Sequence, residues 1–301
     1  MASLRGASAA VLLLTALTNA DDECAAAPAD ATYASPGMHF PTDWLEVPVL
    51  AVRAETHDSK VITFRLPAGA SLNLPISSAI LMKAPGVGDG GKDAIKPYNP
   101  ISSNKVLGSF ELLVKVYAEG TASAYAGRLQ PGDRVAFKQV AGNIKPFRYP
   151  FTGVERLTML AVGTGIAPML QALWPLLETP GDATRVRLLY GNKSPDDIML
   201  KATLDELARA HADRLEVVYV VGEDAHDDRA IDNDGWEGET GWIDLEKVKR
   251  LAFPPAEGSS IVWVCGMDAF YNDLAGSRMK PLAPRSALHE LGYTDAMVWR
   301  S

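Results

Sequence analysis

The chain has 301 residues, 47% of them hydrophobic and 22% charged, which is enough length for two domains of ordinary size and too apolar for a largely disordered protein. A net charge of −8 argues against a general nucleic-acid binder. The two cysteines, Cys24 and Cys265, lie far apart and indicate neither a disulfide framework nor a cysteine metal site.

The opening residues, MASLRGASAAVLLLTALTNADDE, carry one arginine, an uncharged stretch from Gly6 to Ala20, and then acid. Those 15 residues fall short of the about 20 that span a bilayer as a straight helix. Three readings compete: a secretory signal with Thr18 and Ala20 at the cleavage site, a mitochondrial import sequence, and a short membrane anchor. Import or anchoring is favoured, so the expectation is a mitochondrial, membrane-associated protein, with the endoplasmic reticulum membrane or secretion as alternatives. DDECAAAPADATYASPG then reads as a linker, and residues 1–40 as a targeting segment outside the fold.

From Trp44 the β-like runs LEVPVLAVRAET, VITFRL, SAILMKAP, GSFELLVKVYA and DRVAFKQV recur between Pro, Gly, Asn and Asp, which predicts a small antiparallel barrel over residues 41–150. Within it, IKPYNPISS places Tyr98 between two prolines that stiffen the backbone, and a rigid ring suits stacking on a flat cofactor. Lys115 and Tyr117, two apart on a strand, face the same way.

After Pro150 the pattern changes. RLTMLAV, RVRLLYGN, LEVVYVVG and SSIVWVCG read as buried strands, alternating with the helical MLQALWPLLET, DIMLKATLDELARAHA and LEKVKRLAF. Residues 151–301 are therefore expected to form a parallel sheet wrapped by helices, the form of a nucleotide-binding domain. Gly163-Thr164-Gly165-Ile166-Ala167-Pro168 turns from the first strand into a helix whose free N–H groups suit an anionic phosphate. Cys265-Gly266 ends another strand, and ligands of open α/β sheets bind outside the carboxyl ends of strands, so the two turns are expected to face one crevice. For Cys265 the competing reading is a small buried hydrophobe.

The ordered set Lys96-Pro97-Tyr98-Asn99-Pro100-Ile101-Ser102, Lys115-Val116-Tyr117, Gly120-Thr121-Ala122-Ser123, Gly132-Asp133, Gly163 to Pro168 and Cys265-Gly266 closely resembles the NADH-cytochrome b5 reductase branch of the ferredoxin-NADP reductase superfamily, over roughly residues 44 to 301. LLYGNKSPDDIMLK and the ending LHELGYTDAMVWRS are most similar to the mitochondrial members. The resemblance implies an FAD-binding β-barrel followed by an NAD-binding α/β domain. Lys96, Pro97, Tyr98 and Asn99 would hold the flavin, Leu113, Val114, Tyr117 and Gly120, Thr121, Ala122 and Ser123 would line the rest of it, and Lys115, Gly163, Thr164, Gly165, Pro168, Cys265 and Gly266 would receive NADH.

There are departures from the family pattern. Lys96 stands where Arg is usual and lacks its planar two-pronged donor. Asn99 replaces a hydroxyl, Val162 a glycine, Ala167 a threonine, and Met267-Asp268-Ala269 a proline-rich run. The implied reaction is hydride transfer from NADH to FAD and then single electrons to an acceptor such as cytochrome b5, with no metal and no acid/base catalyst. Residues 41–150 carry 13 Lys and Arg against 9 Asp and Glu, so an acidic acceptor protein would approach the first domain; incidental surface charge is the other explanation. NADH is favoured over NADPH because KSPDD and the run GEDAHDDRAIDNDGWEGE are acidic. The alternative function is a reductase-like accessory subunit of a membrane complex whose flavin site has eroded.

Overall fold

The computed structural model describes residues 39–140, 148–222, 235–256 and 259–301. Residues 1–38, Cys24 among them, lie outside these ranges, as does most of the acidic run used to favour NADH. Among the described residues no helix is long and apolar enough to cross a membrane.

The first half is one antiparallel sheet of strands β1 (Leu45–Thr56), β2 (Ser59–Arg65), β3 (Ile80–Ala84), β4 (Ala94–Tyr98), β5 (Ser109–Lys115) and β6 (Arg134–Gln139), in the order β4-β3-β6-β1-β2-β5. The five runs read from the sequence each supply one strand. β4 is the strand that alternation did not reveal, because Lys96 and Pro97 break its apolar pattern. It lies at the sheet edge, where a proline with no N–H is tolerated. The sheet curls until its two edges meet at an isolated antiparallel bridge, Pro100 to Leu112, reinforced by Ile101 N–H donating to Glu111 O at 2.9 Å. The inward faces enclose Phe40, Phe64, Phe110 and Phe137, with neighbouring ring centroids 4.9–5.6 Å apart. Phe40 is 1% exposed, so the barrel core starts just inside residues 1–40, which the sequence places outside the fold. One short helix, α1 (Ala122–Arg128), closes the barrel's end.

The second half is a parallel sheet of β7 (Arg156–Val162), β8 (Arg185–Asn192), β9 (Leu215–Val221), β10 (Glu239–Thr240), β11 (Ser260–Cys265) and β12 (Val298–Arg300), ordered β10-β9-β8-β7-β11-β12. One face packs against α2 (Ile166–Glu178) and α3 (Lys201–Ala210), the other against α4 (Leu245–Leu251), α5 (Asp268–Leu274) and α6 (Ala287–Glu290). α3 begins later than its apolar pattern suggests, because Ile198, Met199 and Leu200 are buried in a turn that ends with Leu200 in a left-handed conformation.

The halves share a core. Val61, Ile76, Ile101 and Leu113 of the barrel belong to the same buried cluster as Met159 of β7 and Ile166 and Leu170 of α2. Two hydrogen bonds cross beside it: Trp174 Nε1 donates to Ile101 O at 2.8 Å, and Gln171 Nε2 to Ser78 O at 3.2 Å.

Candidate functional site

Strand β4 alternates by side. Ala94, Lys96 and Tyr98 pair in register with Ala84, Met82 and Ile80, all fully buried, and so share the barrel's inner face at its open lip. Ile95 and Pro97 face the other way, Ile95 at 46% exposure. Lys96 is exposed at the lip, and the half-buried Tyr98 ring leans on the barrel core, where burial pushes its hydroxyl up to about 12. The next residues are engaged in closing the barrel. Asn99 Nδ2 donates to Ser78 O at 2.9 Å, and Ser102 Oγ accepts from the Glu111 N–H at 3.1 Å. Of the polar groups in this segment, the lysine and the ring are the ones the fold leaves facing the lip.

At the end of β5, Val114 points into the barrel core while Leu113 packs into the cluster shared with the second domain. Tyr117 is 56% exposed. Its N–H donates to Ser123 Oγ at 3.3 Å, and Gly120 N–H donates back to Tyr117 O at 3.0 Å. A Cβ on Gly120 would stand 2.2 Å from Ser123 Oγ and 3.1 Å from Tyr117 O, so a side chain there would displace the serine hydroxyl and crowd the turn. Thr121 is exposed and Ala122 buried against the barrel.

On the nucleotide side, β7 runs into a turn at Gly163–Gly165 that lies against β5 and opens beside the N-terminal end of α2. Unpaired N–H groups at such a helix end favour an anion. Gly163 has φ +53° and nothing within 4 Å of its Cβ position, Thr164 is exposed, and Pro168 is buried in the helix's first turn, where a missing N–H costs nothing. The turn interlocks with the end of β11: a Cβ on Gly165 would lie 2.3 Å from Cys265 O, and one on Gly266 2.3 Å from Val162 Cγ2. The two strand ends therefore border one crevice, as their positions in the sequence suggest. The Cys265 thiol is 9% exposed and turned toward Ser301, donating to its carbonyl at 3.7 Å.

Lys115 is engaged by carboxylates. Its Nζ lies 2.8 Å from Asp58 Oδ2 and 3.3 Å from Asp197 Oδ1. Burial works against the ammonium, but the hydrogen bond and attraction from Asp58, aided by Asp197, outweigh it and raise its pKa. Sequence reading missed both carboxylates, since each is an ordinary loop acid until the fold brings it to Lys115. It also missed Trp242, 58% exposed just past β10 at the carboxyl edge of the sheet, beside a cavity of about 290 Å3 that Phe270, Asp273 and Arg285 also line. Phe270 connects this cavity to the crevice, with Cδ1 2.9 Å from the Cβ position of Gly266. The available signal was an aromatic straight after the turn glycine Gly241.

These donors fit the two implied groups. A cation and a ring at the barrel lip suit a flavin dinucleotide, and a glycine turn at a helix N-terminus with an exposed indole nearby suits a second dinucleotide.

Comparison with known proteins agrees. Residues 46–146 match the oxidoreductase FAD-binding domain model and residues 159–275 the oxidoreductase NAD-binding domain model. The chain is 34% identical over 261 residues to NADH-cytochrome b5 reductase 2 of Saccharomyces cerevisiae, covering 85% of this chain and 82% of the relative. It is also 34% identical over 267 residues to the NADH-cytochrome b5 reductase-like protein of Arabidopsis thaliana, covering 86% and 77%. Among solved structures, the cytochrome b5 reductase domain of Ulva prolifera nitrate reductase superposes with a TM-score of 0.71 at 26% identity, covering 87% of this chain and 98% of that one. The CS-b5R domains of human Ncb5or, in the NAD+ form, give 0.68 at 25% identity, covering 91% and 71%.

Proposed function

The chain belongs to the NADH-cytochrome b5 reductase family, and from that premise we propose that its electron acceptor is cytochrome b5 and that the residues of the crevice divide its two cofactors between them. It is a flavoprotein oxidoreductase that uses NADH and FAD. Bound FAD would supply the hydride acceptance and single-electron release, chemistry that the protein itself need not provide.

The chain's own residues position and shelter. Tyr98 offers a ring wall, Lys96 a cation for the diphosphate, and the Gly120 to Ser123 turn close backbone approach. Gly163, Thr164 and the start of α2 take the pyrophosphate of NADH, and Cys265-Gly266 limits how deep the nicotinamide can go. Asn99 is tied to Ser78, so it acts by fixing the backbone beside the flavin rather than by contacting it. The observation that carries this reading is the interlock of Gly165 with Cys265 directly beside β5, which leaves the dinucleotide turn facing the barrel strand next to the lip.

Purified chain is expected to be yellow, to oxidise NADH and to reduce cytochrome b5, more slowly as ionic strength rises, because a mildly basic first domain steers an acidic partner. A colourless preparation that ignores NADH would favour the accessory-subunit alternative. Residues 6–20, uncharged and followed by Asp21, Asp22 and Glu23, support delivery to or anchoring at a mitochondrial membrane. Fractionation of cells expressing the full chain, and the same chain without residues 1–40, tests that location.

A further inference from the structure

Strand β8 carries a hydroxyl into an otherwise apolar cluster. Tyr190 is fully buried among Met159, Ala161, Ile166 and Met199, and its ring centroid lies 6.4 Å from that of Tyr219, whose own hydroxyl donates to Asp205 Oδ1 at 2.7 Å. Packing therefore sets where the Tyr190 hydroxyl sits. It donates to the carbonyl oxygen of Gly163 at 3.0 Å. Burial pushes its pKa well above the ordinary tyrosine value, so the hydroxyl keeps its proton and remains a donor.

The carbonyl it holds belongs to the turn that leads from β7 into α2. Gly163 has φ +53° and open space where a side chain would be, so no side-chain packing restrains the turn at that residue. Hydrogen bonds to its oxygen do. The Ile166 N–H donates to it along the turn, and the Tyr190 hydroxyl donates to it from the neighbouring strand. A trans peptide points its C=O and the following N–H in opposite directions. With the oxygen drawn toward Tyr190 and the core, the Thr164 N–H is turned away from the core, on the side where Thr164 itself is exposed. Two donors on one carbonyl also polarise that peptide, which strengthens its N–H as a donor.

We propose that Tyr190 is a positioning residue for NADH, its hydroxyl orienting the Gly163–Thr164 peptide so that the Thr164 N–H faces the pyrophosphate. It touches neither cofactor and acts through the turn. This rests on the reductase reading above and deepens its assignment of the pyrophosphate to Gly163, Thr164 and the start of α2. Phenylalanine at this position fills the same space but leaves the carbonyl with one donor, so the peptide spends part of its time turned otherwise. Apparent affinity for the dinucleotide falls with the fraction that is correctly turned.

The test uses the FAD-loaded full chain, the variant Tyr190→Phe and two hydride donors: NADH, and 1-benzyl-1,4-dihydronicotinamide, which carries no phosphate. In stopped-flow reduction of the flavin, the variant is expected to need about fivefold more NADH for half-saturation, while the limiting rate stays within about twofold of wild type. The phosphate-free donor should reduce both proteins at the same rate. Flavin content should also match, since the substitution removes one oxygen and leaves the barrel untouched. An unchanged half-saturation for NADH overturns the proposal. So does an equal loss with both donors, or a loss of flavin, because either gives the hydroxyl a structural role alone. Wild-type protein that NADH does not reduce would instead overturn the reductase reading, and the proposal with it.

Discussion

The carbonyl oxygen of Cys265 stands 2.3 Å from where a Cβ on Gly165 would lie, so the ends of β7 and β11 are in contact through a missing side chain. Any substituent there must push backbone against backbone. Gly165→Ala is expected to destabilise the second domain by about 1–3 kcal/mol, the usual range for overpacking, and to weaken NADH binding more than FAD binding. Thermal unfolding together with separate titrations of the two cofactors checks it; equal loss of both would show that the crevice is not divided as proposed.

Lys96 and Tyr98 share the inner face of β4, with the lysine exposed and the ring half-buried. Lys96→Ala should lower the affinity of apo-protein for FAD by about tenfold, the loss of one charge-assisted contact of about 1.5 kcal/mol. Lys96→Arg should raise it, because a guanidinium meets a diphosphate with two parallel donors. Fluorescence titration with FAD reads both directions.

Ser77 has φ +57°, is 2% exposed, and its Oγ finds no partner among the described protein atoms. Ser77→Gly removes both the left-handed strain and a buried unpaired hydroxyl, and adds chain entropy to the unfolded state; the balance is a gain of about 1 kcal/mol. A rise of a few degrees in Tm is expected, and a fall would mean that the hydroxyl has a partner that matters.

The ion pair of Lys115 Nζ with Asp197 Oδ1, 3.3 Å apart, has opposite pH limits at its two ends. Burial raises the Asp197 pKa, but the Ser194 hydroxyl and the Lys115 ammonium more than offset that and leave it below the ordinary carboxylate value. A depressed acid contributes stability above its unfolded pKa and loses it as pH falls through the folded one. Lys115 is raised, so its contribution is complete below the ordinary lysine value and is lost as pH climbs through the folded pKa. The pair should therefore hold between about pH 4 and about pH 10 and weaken on both sides. Stability measured from acid to alkaline pH should lose part of its acid limb in Asp197→Asn; identical profiles would remove Asp197 from the balance.

The two-domain organisation was legible because period-2 alternation and buried apolar runs are local signals: eight of the runs became β1, β2, β3, β6, β7, β8, β9 and β11 within a residue or two of their quoted ends, and the ninth, β5, stops three residues short of its run. Local signal failed where tertiary contact decides. β4 is a strand because β3 pairs with it, despite Pro97. Ile198 to Leu200 read as helix but are drawn into the core first. The site followed the same division: glycine turns could be read as motifs, whereas Asp58 and Asp197 lie 139 positions apart and meet at Lys115 only in the folded chain.

The bridge from Pro100 to Leu112 fastens the barrel two residues beyond Tyr98. The clasp of the cylinder and the wall of the ring site are thus one piece of chain, and a ligand resting on Tyr98 also keeps that fastening shut. Its binding free energy adds to the cost of opening the seam by mass action. In a cell short of flavin, this region would be where the protein first becomes vulnerable to proteolysis, so cofactor supply would govern the protein's abundance as well as its turnover.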